Sequence, residues 1–222
     1  MGRLKSAILG IPRTIWFNLK YLPLRQALKF PVVLAPNVRI RKICNGAFRL
    51  TGDIKTAMIR IGFHTVEPID TFGIHTIINV DKGGILCFNG SSHIGRGAIL
   101  HVAGGSLTLG NNFAVSGTTS IICKNSITIG DNVQFSYGGL VNDSDAHTII
   151  DTDGNELPNT SPIMISDKVW IAPNVTILKG ASIPSCNIVA SNSLINKKFT
   201  QSKMLIGGIP AKELKPIADW KL

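Results

Sequence analysis

Residues 163–200 contain, in blocks of six, I165-SDKVW, I171-APNVT, I177-LKGAS, I183-PSCNI, V189-ASNSL and I195-NKKFT. An aliphatic residue opens every block. Two places before each stands Ile163, Val169, Val175, Ala181, Asn187 or Ser193, on the same side of an extended chain. A helix repeats every 3.6 residues and a plain strand every two, so neither template explains this spacing. Six residues can form a short strand plus a turn, and three such units close one triangular coil of about 18 residues.

The period continues upstream through Leu107/Leu109, Phe113/Val115 and Thr119/Ile121. It slips at Lys124–Ser126 and resumes at Ile127/Ile129, Val133/Phe135 and Gly139/Val141. Phe88, Ile94 and Leu100 keep the same spacing, and Gly104 with Gly105 absorbs the next slip. Residues 38–85 alternate apolar and polar more loosely (Val38/Ile40, Phe48/Leu50, Ile59/Ile61, Ile77), which reads as earlier, irregular coils. Gly95, Gly97, Gly110, Gly130, Asn112, Asn132 and Asn174 are residue types that accept the left-handed backbone of tight corners. The predicted fold is an all-β solenoid, a parallel β-helix whose coils stack about 4.8 Å apart. It occupies residues 36–205, between a basic N-terminal cap (1–35) and a C-terminal cap (206–222) that turns back after Pro210. The N-terminal cap is expected to hold a helical stretch around Ile15–Leu28 broken at Pro23. Spacing leaves the handedness of the coils open.

Composition suits such thin layers. Of 222 residues, 44% are hydrophobic but only 6% aromatic, so the interior is aliphatic and neither a disordered nor a collagenous chain fits. The net charge of +10 is concentrated at one end. Residues 1–52 hold Arg3, Lys5, Arg13, Lys20, Arg25, Lys29, Arg39, Arg41, Lys42 and Arg49 with no acidic residue. Two readings stay open for this segment: a solubilising or subunit-facing cap, or contact between residues 1–30, with Trp16, Phe17 and Tyr21 at the interface, and an anionic membrane surface. No nucleic-acid motif accompanies the charge, so no nucleic-acid partner is expected. Cys44, Cys87, Cys123 and Cys186 form no CxxC pair and read as small core residues of a cytoplasmic protein. The apolar patch Ala7–Ile11, interrupted by Pro12 and Arg13, is too short for a signal sequence, and no run approaches the ~18 residues of a spanning helix.

The hexads break at 142–162, NDSDAHTIIDTDGNELPNTSP. A coil that pauses for about twenty residues extrudes a loop, and loops of that length in compact domains are usually functional. The loop carries His147 close to Asp143 and Asp145.

VWIAPNVTILKGASI (169–183), the interrupted hexads, DSDAH (143–147) and GGIPAK (207–212) together resemble the hexapeptide-repeat acyltransferases, in the maltose, galactoside and polysaccharide O-acetyltransferase branch. The resemblance covers roughly residues 85–216. It implies a left-handed β-helix, a homotrimer, acetyl-CoA as co-substrate and chemistry between subunits. By the same resemblance His147 is the catalytic base, with Asp143 or Asp145 orienting its ring. Substrate contacts fall on Ser116, Lys124, Asn142 and His101. Ser116 stands where relatives carry Asn, and Lys124 where they carry an acidic residue, which favours a phosphate-bearing or lipid-linked acceptor. Candidate coenzyme A contacts are Ala172, Pro173, Ser191, Asn196, Lys197, Gly208, Pro210, Lys212 and Lys215. His64 and His75 read as surface or turn residues. His93 and His101 raise the zinc chemistry of gamma carbonic anhydrases on the same fold, but no closely paired His set follows, so no metal is expected. The implied activity is acetylation of a sugar hydroxyl in surface polysaccharide or lipid-linked glycan synthesis, in the cytoplasm or peripherally at the inner membrane face. Its rivals are N-acetylation of an amino sugar or antibiotic and a non-catalytic membrane-associated scaffold.

Overall fold

A computed structural model describes residues 3–63 and 73–221, apart from the side chains of 3–7; His64, Arg3 and Lys5 lie outside what is described of side chains. The hexads form three parallel sheets, the three sides of a solenoid. The first side runs from Val32–Leu34 through Ile59–Ile61, Ser92–Arg96, Phe113–Gly117, Gln134–Tyr137, Trp170–Ile171 and Ile188–Val189 to Met204–Gly208. The second includes Thr76–Val80, Ile99–Val102, Ser120–Cys123, Leu140–Asn142, Thr176–Leu178 and Leu194–Ile195. The third includes Ser106–Leu109, Ser126–Ile129, Ile163–Ile165 and Ser182–Ile183.

Register follows the hexad positions. Leu107 lies against Ile127 and Ile127 against Ile163, while Val141, Ile177 and Ile195 stack on the second side. These residues are all buried along the axis. The slip at Lys124–Ser126 is a longer corner, so Leu107 and Ile127 are separated by more residues than Ile165 and Ile183 one coil further on. Ile77 is a correction: Ile78 and Val80 point inward with Thr76, and Ile77 faces out, half-buried. A bulge between Ile40 and Lys42 in the neighbouring strand disturbs the alternation there.

The corner residues divide into two kinds. Asn112, Asn132, Asn174 and Gly97 do adopt positive φ. Gly95, Gly110 and Gly130 do not. A Cβ on Gly95 would meet the Ser116 carbonyl oxygen of the next coil at 1.8 Å, so close coil approach, rather than backbone handedness, demands glycine there. Cys123 is buried, and burial beside the Asp143 carboxylate pushes its thiol up to about 12. Cys44, Cys87 and Cys186 are only half-buried, which corrects the all-core reading.

The N-terminal helix α1 (Arg3–Tyr21) begins well before Ile15 and contains Pro12, and a short helix α2 (Leu24–Ala27) follows the break at Pro23. What holds α1 is the open edge of the first sheet. The Asn18 amide donates to the Val32 carbonyl at 2.7 Å and its Oδ1 accepts from the Val32 N–H at 3.2 Å, while Thr14 Oγ1 accepts from the Leu34 N–H at 3.0 Å. Helix side chains thus satisfy backbone groups that no strand pairs. Gly10 lets the helix touch this strand, since a Cβ would sit 2.0 Å from the Leu34 oxygen. Phe17 is fully buried, 5.1 Å from the Phe48 ring. Asn18→Ala is expected to cost about 1–3 kcal/mol, as for other buried groups left without partners; urea denaturation with an unchanged midpoint would remove Asn18 from the cap. At the far end the chain reverses through Ile209-Pro210 into Ala211–Pro216, an antiparallel strand along the same sheet.

Candidate functional site

The loop leaves the corner between the second and third sides, after Leu140–Asn142, and returns at Ile163. Its base is built by Asp143, fully buried, whose two carboxylate oxygens accept the N–H groups of Lys124 at 2.7 Å and Asn125 at 2.9 Å one coil away. Ser144 bridges antiparallel to Thr160, and the Asp145 N–H donates to the Asn159 carbonyl. Beyond this neck the chain forms a small hairpin, Ile149–Ile150 against Glu156–Leu157, with Ile149, Ile150 and Leu157 exposed at 49%, 65% and 42%. Such aliphatic residues on a projecting hairpin are out of keeping with a lone, fully solvated loop.

His147 sits on the outgoing limb, exposed, its backbone N–H donating to the Asp145 carbonyl at 2.8 Å and its imidazole without a hydrogen bond or ion pair among the described residues. The two candidate orienting carboxylates, Asp143 and Asp145, both have partners other than His147. Asp143 holds the loop base. Asp145 is ion-paired to Lys179, whose ammonium also donates to the Pro158 carbonyl and so ties both limbs to the strand Thr176–Leu178 and the corner after it. Lys124 projects from the corner above the loop; Lys179 and Lys197 follow at the same corner in the coils below. A column of cations therefore borders the loop.

Asn142 and His101 both face outward on the second side, two coils or about 10 Å apart. His101 is engaged by Asp81 at 2.9 Å, and that hydrogen bond, with the charge of Lys42 and a contact from Asn79, holds the Asp81 carboxyl below its usual range. Ser116 lies on the first side. It lines a cavity of about 260 Å³ with Gln134, Ser136, Trp170, Trp220 and Lys221. Trp170 and Trp220 face one another at 6.3 Å, and Trp220 is anchored by an indole hydrogen bond to the Lys168 carbonyl beside the Lys168–Asp219 ion pair. Ser116 and His147 thus occupy different sides of one solenoid. The two tryptophans escaped sequence reasoning, although Trp170 stands at an outward position of the VWIAPN hexad, where a large aromatic has no core role.

Ala172, Pro173, Ser191, Gly208 and Pro210 come together as a ladder down the corner between the first and second sides, where the Asn192 N–H donates to the Pro173 carbonyl and the Gly208 N–H to Ser193 Oγ. Beside it lies a cavity of about 330 Å³ lined by Asn174, Thr176, Asn192, Leu194 and Ile209, residues the sequence reading did not place in the site. Asn196 and Lys197 fall at the next corner, with the Lys197 ammonium 5.2 Å over the Phe199 ring, and Lys212 and Lys215 are exposed on the last strand. Among the described residues no three His, Cys, Asp or Glu side chains cluster closely enough to hold a metal ion.

No protein-family model matches the chain. It is 26% identical over 202 residues to an uncharacterized 24.8 kDa protein in the cps region of Klebsiella pneumoniae, covering 91% of this chain and 86% of that protein. It is also 26% identical over 120 residues to WbbJ of Escherichia coli (strain K12), provisionally assigned as a lipopolysaccharide biosynthesis O-acetyl transferase; the match covers 50% of this chain and 61% of WbbJ, so the chain spans less than two thirds of that relative. Among solved structures, the polySia specific acetyltransferase NeuO superposes with a TM-score of 0.62 at 21% identity, covering 86% of this chain and 79% of NeuO. A variant of AntD, an N-acyltransferase from Bacillus cereus solved with dTDP and coenzyme A, gives 0.53 at 17% identity, covering 71% and 92%. The fold is a left-handed parallel β-helix of the kind found in hexapeptide-repeat acetyltransferases, and two of the chain's relatives, WbbJ and the galactoside O-acetyltransferase of Escherichia coli (strain K12), carry O-acetyltransferase names. No helix among the described residues is long and apolar enough to cross a membrane.

Proposed function

We propose that the chain is an acetyl-CoA-dependent O-acetyltransferase that esterifies a sugar hydroxyl of a surface polysaccharide or lipid-linked glycan, working as a homotrimer in the cytoplasm. The observation that carries this reading is the buttressed loop presenting an exposed His147 from a hexapeptide-repeat solenoid. The imidazole accepts the hydroxyl proton as the oxygen attacks the thioester carbonyl. Collapse of the tetrahedral intermediate breaks the C–S bond, and the proton passes to the departing thiolate, leaving an acetyl ester and free coenzyme A. Asp145 acts through Lys179 as a positioning residue for the loop.

Because Ser116 and His147 lie on different sides of one solenoid, a complete cleft is formed when a second copy brings its loop against the cavity of Ser116, Trp170 and Trp220. The apolar hairpin tip supplies the packing for that contact. Ser116 is then a hydrogen-bond donor to the acceptor, the indoles offer faces to a sugar ring, and the adjacent lysines suit anionic groups on acceptor or coenzyme. The ladder of backbone amides from Ala172 to Pro210 is suited to the pantetheine arm.

Incubation with labelled acetyl-CoA and a panel of surface-glycan acceptors tests the reading. A labelled product cleaved by hydroxylamine is expected, since esters are labile and amides are not. A hydroxylamine-resistant product would assign amine transfer instead, and thioester turnover absent with every acceptor would leave the scaffold.

A further inference from the structure

Helix α1 buries one face of mixed polarity against the fold and leaves an apolar stripe exposed. Gly10, Thr14, Phe17 and Asn18 are buried against the strand Val32–Leu34. The opposite face carries Ile8, Ile11, Ile15 and Leu19 at 56%, 50%, 41% and 52% exposure, spaced three or four apart, with Trp16 beside them at 45%. Leu24 and Leu28 of the following segment extend the patch, at 67% and 63% exposure. A contiguous apolar stripe of this length left exposed on an amphipathic helix marks a contact with an apolar surrounding. Phe17 does not join this face, which corrects its expected place at an interface.

The charges around the patch name its partner. Arg13 and Lys20 flank the apolar stripe, Lys20 lying 4.8 Å over the Trp16 ring, and Arg25 and Lys29 follow. Among the described residues of the acid-free segment 1–52, Lys42 is the one basic side chain with an ion-pair partner, Asp81. A second copy docking the same face on itself would set these cations against one another. We infer that α1 is an in-plane membrane anchor, seating Ile8, Ile11, Ile15, Trp16 and Leu19 among the acyl chains of a bilayer rich in anionic phospholipid, with its lysines and arginines at the headgroups. It lies across the N-terminal end of the solenoid, so the coil axis is carried on the membrane by one end. This goes beyond the transferase reading and does not depend on it.

Flotation of the full-length protein with phosphatidylcholine vesicles, with and without phosphatidylglycerol, decides the matter. Binding to the anionic vesicles at low salt is expected, falling steeply as salt screens the headgroups. Ile15→Glu/Leu19→Glu should lower vesicle affinity more than tenfold, and Lys20→Glu/Arg25→Glu at least tenfold, with unchanged melting curves and unchanged oligomeric mass. In the wild-type chain, lipid-borne quenchers should dim tryptophan emission, and Trp16→Phe should abolish that quenching while flotation persists; this readout stands even if a charge variant folds poorly. Equal flotation with both vesicle types, quenching that survives Trp16→Phe, or a Glu variant that loses oligomeric mass while still floating would overturn the anchor, the last by showing a contact between copies.

Discussion

Replacing His147 by alanine is expected to lower turnover by about 10²–10⁴-fold, the usual worth of general-base assistance, with little change in melting temperature. The separation of the two effects follows from the structure. The imidazole is exposed and has no hydrogen bond or ion pair among the described residues, so its loss opens no buried cavity and leaves no buried group unsatisfied. The loop geometry rests on other groups: Asp143 on the Lys124 and Asn125 amides, and Lys179 on Asp145 and Pro158. Steady-state assay with acetyl-CoA beside thermal denaturation at one protein concentration reads both quantities. A variant retaining more than a tenth of wild-type turnover would strip His147 of the base role, and a variant that melts several degrees lower would mean the residue is structural.

The axis of the solenoid was legible because its rule is local: every sixth residue must fit between the residue one coil above and the one below, and aliphatics at 165, 171, 177, 183, 189 and 195 report that directly. Break and loop were legible for the same reason, as an interruption of a strict count. Partners across the site were not. Asp143 and Asp145 stand as near to His147 in sequence as an orienting carboxylate should, yet one is drawn to two backbone amides of the preceding coil and the other to a lysine beyond the loop. Sequence proximity within a loop says little when the groups that satisfy a carboxylate come from neighbouring coils. Trp220 illustrates the converse, a residue fifty positions from Trp170 that the C-terminal tail folds back beside it. The glycines misread as left-handed corners had their reason in coil-to-coil distance, a property of stacking that no single hexad displays.

Ile177→Ala should cost about 2–5 kcal/mol, as for other buried aliphatics cut to alanine. Ile177 is fully buried and stacked in register between Val141 and Ile195, so its missing carbons leave a void bounded by rigid coils above, below and on two sides, with little freedom to collapse. Lys179 lies two residues on and makes a sharp comparison. Its side chain is 28% exposed, and its ion pair with Asp145 is of the partly solvated kind that contributes about 0–1 kcal/mol. Lys179→Ala should therefore spare global stability while slackening the loop that carries His147, visible as a fall in turnover. Urea unfolding of the two variants at one protein concentration, beside the transferase assay, gives the comparison. Equal losses of stability would mean that the inward positions have been assigned to the wrong residues, because a correct register places one of these side chains on the axis and the other at the surface.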